Sequence, residues 1–144
     1  LTQNNIAKPP FQADSIAVGH WWLDEHMTGK YAVPKSEGNP HFVVTLEGNF
    51  VSNATTQLPP YDVPYRLMIP KKGTGANLLV PVCLSASHVA FASTRIETML
   101  MGVGSAAGVA AQQLVDGTAQ TVQEVNISMV QNILVNIFKQ QIHV

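Results

Sequence analysis

The side chains able to do chemistry in this chain are few and scattered. Cys83 is its single cysteine, which excludes an internal disulfide and a cysteine-built zinc site. His20, Asp24, His26 and His41 lie in one stretch, but their spacing matches no ligand pattern, so no metal is expected. Asp24-Glu25-His26 offers carboxylates and an imidazole that could line a substrate pocket, or equally end a strand in water. Arg66 is a further candidate for the same side. Trp21 and Trp22 would suit a sugar-stacking platform, but neighbours on a strand point to opposite faces, so the core should claim at least one. His88 and Arg95 flank a single loop. His88 could move a proton or brace that loop, and Arg95 could steady negative charge or pair with Glu97 or a helix end.

Composition narrows the function classes. The 144 residues fit one core of ordinary size, and only 12% are charged against 46% hydrophobic. Such a chain is not disordered, and part of its surface is expected to lie against something else. A formal net charge of −1 leaves no electrostatic footprint for nucleic acid and no polybasic membrane anchor. The longest uncharged apolar run, Thr98 to Ala111, is too short to span a bilayer. The expectation is a soluble protein, cytoplasmic or periplasmic, with no targeting segment readable ahead of Leu1.

Residues 1–72 hold most of the prolines and aromatics and read as β structure. Ser15 to Asp24 and His41 to Glu47 alternate as strands, and Gly48-Asn49 suits a hairpin turn that returns at Phe50-Val51. Prolines 59, 60 and 64 keep the next stretch extended, and Tyr65 to Ile69 is expected as a short strand. Lys71-Lys72-Gly73-Thr74-Gly75 is a polar join.

Beyond it the period becomes helical. Leu78 to Val82 reads as a strand buried on both faces, although Pro81 cannot donate to a ladder. Cys83 to Thr94 is expected as a loop, and Ile96 to Val115 as a helix stopped at Asp116-Gly117. A last helix over Ser128 to Gln140 starts with a capping box, Ser128 to Gln131. Its apolar stripe is Val130, Ile133, Leu134, Ile137 and Phe138. Short acceptor patterns for glycosylation at Asn53-Ala54-Thr55 and Asn126-Ile127-Ser128 are too common to carry an argument.

The 96–115 helix contains Gly102, Gly104 and Gly108, each costing about 1 kcal/mol relative to alanine in a helix interior. Gly104, Gly108 and Ala111 share a face, where a sheet, another helix or a flat ligand could approach the backbone. On that reading a leucine at Gly108 is expected to harm more than one at Ala119, in a loop. A strand, loop and helix N-terminus in succession gather free N–H groups, a geometry that binds electron-rich oxygens.

From Pro60-Tyr61-Asp62-Val63-Pro64-Tyr65-Arg66, through Pro70-Lys71 and Asn77 to His88, to Ser93-Thr94-Arg95 and the Gly104–Ala111 helix, the chain resembles the C-terminal part of a bacterial FAD-dependent oxidoreductase family. The likeness runs over about residues 13–123 and includes Asp14-Ser15-Ile16 and Asp24-Glu25-His26. Some relatives carry a xanthan lyase label. The resemblance implies an α+β or α/β fragment: substrate-side antiparallel strands in residues 1–72, then the last strand and helix of an FAD/NAD(P)-binding-type domain in 73–125, then an amphipathic helix in 126–144.

It also implies FAD in the full-length protein, with contacts from Cys83, Leu84 and Ser85 and from the Arg95, Ile96, Glu97 and Thr98 amides at the pyrimidine edge. Cys83 stands where many flavoproteins carry an acidic residue, and relatives often have proline near Thr98 and glutamine near Ser105. His88 and Arg95 would be catalytic, and Asp24, His26 and Arg66 substrate-side. The phosphate-binding glycine turn is absent, since Gly73-Thr74-Gly75 precedes a strand instead of following one. The expected partners are therefore a missing N-terminal FAD-binding half, a small-molecule or carbohydrate substrate and, for the chain alone, a second copy. Tight FAD binding by the chain alone is not expected. The alternative is a carbohydrate-binding module or a polysaccharide lyase component, for which no base and neutralising pair stands out.

Overall fold

A computed structural model of the chain describes residues 1–24, 29–47 and 58–144. The chain forms α1 (Gln3–Ala7), β1 (Ser15–Gly19), β2 (Gly29–Pro34), β3 (Phe42–Glu47), β4 (Tyr61–Pro64), a 3₁₀ turn (Tyr65–Met68), α2 (His88–Thr94), α3 (Glu97–Val115) and α4 (Ile127–Asn136). It is an α+β arrangement in which two short antiparallel sheets, β1–β4 and β2–β3, stand beside the helices.

The β1–β4 pair is the floor of the core. Ala17 faces Val63, Val18 faces Asp62 and Gly19 faces Tyr61, with an irregularity between Ser15 and Ala17. Ile16, Ala17 and Val63 are buried, and α3 and α4 both pack on β1. Gly19 has a specific reason to be glycine: a Cβ there would lie closer than 3 Å to the Tyr61 ring. The missing side chain lets that ring lie across the strand.

Helix α3 buries Met99, Val103, Ala106, Ala110 and Gln113 at helical spacing. It stops where the sequence indicates, with Asp116 as its last cap and Gly117 at φ +78°. Gln113 is buried and holds the start of α4. Its amide donates to the Asn126 carbonyl at 3.1 Å and accepts from the Asn126 N–H at 2.8 Å. Helix α4 buries Val130 and Leu134, each side chain contributing about 1.5–3 kcal/mol by burial. The tail then returns along β1, where Gln140 donates to the Ile16 carbonyl at 2.7 Å. Two contacts to buried Asp62 close it, from His143 Nδ1 at 3.0 Å and the Val144 N–H at 3.2 Å.

Several expectations are corrected. Ser15 to Asp24 is a strand only to Gly19, so Trp21 and Trp22 escape the two-residue alternation. Gly29–Pro34, not expected as a strand, pairs with β3 from Gly29↔Glu47 to Pro34↔Phe42. Tyr65–Met68 is a 3₁₀ turn rather than a strand, and the strand lies just before it, between the prolines. Leu78 to Val82 is no strand. Its contact with the turn is one bond from the Val80 N–H to the Met68 carbonyl, and Leu78 and Val82 are each more than half exposed. Pro81 removes a donor, and a 3₁₀ turn offers no ladder to pair with. The loop expected before α3 contains α2, capped by Ser87, whose hydroxyl accepts from the Ala90 N–H at 3.3 Å.

The capping box at Ser128 is not used. Asn126 caps α4 instead, two residues earlier, by accepting from the Met129 N–H at 3.1 Å. The helix ends at Asn136, and Ile137 and Phe138 of the expected stripe are exposed. Gly104 and Gly108 face open space, with nothing within 4 Å of an added Cβ, whereas Ala119 is 4% exposed. The expected order of harm at Gly108 and Ala119 is therefore reversed within this chain. The Gly48-Asn49 turn, Phe50-Val51, His26 and Asn53-Ala54-Thr55 lie outside the described residues.

Candidate functional site

Arg95, Ile96, Glu97 and Thr98 of the expected site residues lie together at the start of α3. Ile96 is its N-cap in an extended conformation, and no side chain closes the cap. The first N–H groups of any helix lack intrahelical partners and carry the positive end of the dipole. A cleft of about 210 Å³ opens there, lined by Val18, His20, Trp21, Ser93, Ile96, Thr98 and Met99. Strand β1 supplies Val18, the stretch after it supplies His20 and Trp21, and the α2–α3 junction supplies the rest.

Hydrogen bonds fix the wall of the cleft. The Ser93 hydroxyl donates to the Trp21 carbonyl at 2.7 Å and lies 2.8 Å from the Tyr61 hydroxyl. Burial pushes the Tyr61 phenol up to about 12, with the Ser93 contact opposing the shift. Trp21 Nε1 and Thr94 Oγ1 are buried and have no hydrogen-bond partner among the described residues. A buried unpaired donor is costly. The two indoles stack on one another with centroids 4.2 Å apart, so each has one face already covered. Trp22 is 52% exposed, and neither ring is a core residue of the kind expected.

Arg95 sits between the two helices, as the last cap of α2 and the residue before Ile96. It donates to the Asp24 carboxylate at 2.9 Å and to the Asp24 carbonyl at 3.1 Å. Its expected structural partner was Glu97 or a helix end; the observed one is a residue of the expected substrate side. Arg66 serves another place, pairing with Asp14 and donating to Gln12. His88 begins α2 and Arg95 follows its end, so about 10 Å of helix axis separates them. The structure does not converge these two on one point.

The Cys83–Ser85 stretch is largely committed elsewhere. The Ser85 N–H donates to the Leu67 carbonyl at 2.8 Å, and its own carbonyl accepts from the Leu1 nitrogen at 2.8 Å. Leu84 is buried in the core, and Cys83 is exposed. Of the residues expected to contact a cofactor, Ile96 and Thr98 lie on the cleft wall. Val18, His20, Trp21, Ser93 and Met99 were not expected there as cofactor contacts. Trp21 and Ser93 carry a sequence signal only as a Trp pair and a small polar residue before Arg95. Among the described residues, no group of three or more His, Cys, Asp or Glu could hold a metal ion, and no helix is long and apolar enough to cross a membrane.

The start of α3 thus places an uncapped helix end beside a cleft that the end of β1 also lines. The family model described as FAD dependent oxidoreductase matches residues 1–134. The chain belongs to that family. No curated protein and no solved structure matches it.

Proposed function

We propose that this chain is the substrate-side and flavin-ring portion of an FAD-dependent oxidoreductase, completed by a dinucleotide-binding portion that it does not itself encode. The observation that carries the reading is the family match over residues 1–134, which takes in the cleft at the uncapped start of α3. The residues fit the redox ring of FAD in kind: N–H groups and a hydroxyl beside apolar walls suit the carbonyl edge of a flavin. Bound FAD would supply the electron or hydride transfer.

The chain's own residues would bind and orient. Ile96, Glu97 and Thr98 would hold the carbonyl edge at the positive end of the helix dipole, which favours added negative charge. Arg95, steadied by Asp24, adds a fixed cation one residue before the cap. Val18 and Met99 supply apolar parts of the lining. A substrate would approach from the side of Asp24, with His88 at the far end of α2. The lyase and carbohydrate-module alternatives are not favoured, because the family match is to an oxidoreductase and the indoles cover one another.

The test is the colour of the gene product carrying this chain, purified natively. The visible bands of an oxidised flavin, bleached by dithionite, are expected. A colourless protein that stays colourless after incubation with FAD overturns the reading. The 144-residue chain alone should retain no stoichiometric FAD on gel filtration.

A further inference from the structure

The β2–β3 hairpin has two edges that differ in kind. Helices α3 and α4 pack on β1, while β2 and β3 pack on each other and have no further strand among the described residues. From Lys30 to Gly38 and from Pro40 to Thr45 every residue is exposed. A two-stranded hairpin is marginal in water; three or more strands with an apolar face stabilise one another.

The pairing tells which backbone groups each edge offers. The Lys35 N–H donates to the His41 carbonyl at 2.9 Å, so these two residues form a hydrogen-bonded pair. Stepping by two, Val33↔Val43, Tyr31↔Thr45 and Gly29↔Glu47 are hydrogen-bonded pairs as well. The alternate residues turn their backbone groups outward: Lys30, Ala32 and Pro34 on β2, Phe42, Val44 and Leu46 on β3. The β2 edge is blunted by a lysine and by a proline that has no N–H to offer. The β3 edge reads Phe42-Val43-Val44-Thr45-Leu46, with no charge, proline or glycine to blunt it.

We propose that the β3 edge is the surface on which a second copy of this chain docks, strand to strand, about a two-fold axis at Val44. A two-fold axis through an antiparallel joint maps hydrogen-bonded pairs onto hydrogen-bonded pairs, so it must be centred on a residue. Val44 is the middle one of the outward-facing residues of β3. Centring there pairs Val44 with the partner's Val44, Phe42 with the partner's Leu46, and Val43 with the partner's Thr45. Every outward N–H and C=O from Phe42 to Leu46 is then used. The same register sets the Glu47 position opposite the partner's His41, so no like charges meet across the joint. Two marginal hairpins become one four-stranded sheet, with Ala32, Phe42 and Val44 of both copies on one face. An edge this short is far below the ~20–30 residues a side of a standard interface, so the pair is weak and concentration-dependent.

The experiment is sedimentation velocity of the chain across the micromolar range, with hydrogen exchange read on the same samples. A monomer–dimer shift is expected, and the Phe42, Val44 and Leu46 amides should slow as the dimer forms. Val44→Pro removes an N–H that points away from β2, so it spares the β2–β3 ladder and should weaken the dimer at least about tenfold. Val44→Thr keeps the edge and trims only the face, so its dimer should stay within about threefold of wild type. If Val44→Pro fails to fold, cross-linking takes its place. In a Cys83→Ser background, Val43→Cys and Thr45→Cys chains mixed and oxidised should give a disulfide dimer. Neither chain should give it alone, since its like cysteines would lie beyond the ~7 Å that a disulfide can bridge.

A chain that stays monomeric at every concentration overturns the proposal; slow edge amides in that monomer would mean that the edge is covered from within the chain. A dimer that survives Val44→Pro but is lost in Val44→Thr overturns it too, since the copies then meet face to face. So does cross-linking that is as strong in the separate cysteine chains as in their mixture.

Discussion

Arg95 donates twice to Asp24, to its carboxylate at 2.9 Å and to its backbone carbonyl at 3.1 Å. A residue 71 positions earlier in the chain thereby holds the α2–α3 junction from which α3 starts. Both side chains are more than a third exposed, so the pair contributes at most about 1 kcal/mol to stability. Arg95→Ala should leave the urea midpoint of the chain nearly unchanged. In the FAD-loaded protein, stopped-flow flavin reduction should slow by a larger factor than stability loss explains. Reduction at the wild-type rate would show that Arg95 only braces the junction.

Gly108 and Ala119 should respond to leucine in opposite ways. At Gly108 a side chain meets open space and replaces a poor helix former, so stability should rise by up to about 1 kcal/mol. At buried Ala119 the added atoms must displace core, at about 1–3 kcal/mol. Urea denaturation of the two variants decides it.

Gln113 is a buried amide whose two ends serve the same residue, Asn126. Gln113→Leu keeps much of the volume but strands an N–H and a carbonyl at the start of α4, costing about 2–4 kcal/mol. Chemical denaturation should show that loss, and hydrogen exchange should rise first over residues 126–136. A loss below 1 kcal/mol would mean that water reaches Asn126.

Stability should fall in alkaline solution. Tyr61 and Tyr65 are both pushed by burial from 10.0 up to about 12. The folded state therefore keeps protons that the unfolded state gives up first. Their contribution is fully present below pH 10 and is lost as pH rises through about 12. Tyr61→Phe should flatten the slope of unfolding free energy against pH in that window. An unchanged slope would remove Tyr61 from the linkage.

The chain alone should associate with itself at micromolar concentration. In the β2–β3 hairpin, Tyr31, Phe42 and Val44 are 53%, 65% and 68% exposed, and a lone hairpin is marginal in water. On α3, Met101 and Val115 flank the open glycines at 72% and 81% exposure. Apolar patches of this kind favour association. Sedimentation velocity should show a concentration-dependent shift that Val44→Lys reduces. A monomer across the whole range would show that these faces stay apart.

What the sequence determined by itself was the set of strongly periodic or sharply punctuated elements. The course of α3 and its stop at Gly117 follow from spacing and from the one residue that tolerates positive φ. The extended run between prolines 60 and 64, the strand at Phe42–Glu47 and the buried half of the α4 stripe follow in the same way. These are local matters, decided within a few residues by sterics and by the side-chain period. The tertiary structure decided what depends on partners distant in sequence. Leu78 to Val82 has the composition of a strand but no ladder, and Trp21 and Trp22 leave the strand and stack. Arg95 takes Asp24 from 71 residues away, and Ser93 becomes a one-way acceptor only because Tyr61 and Trp21 meet it there. A hydroxyl's direction is not a property of serine; it is set by which neighbours can only give and which can only receive.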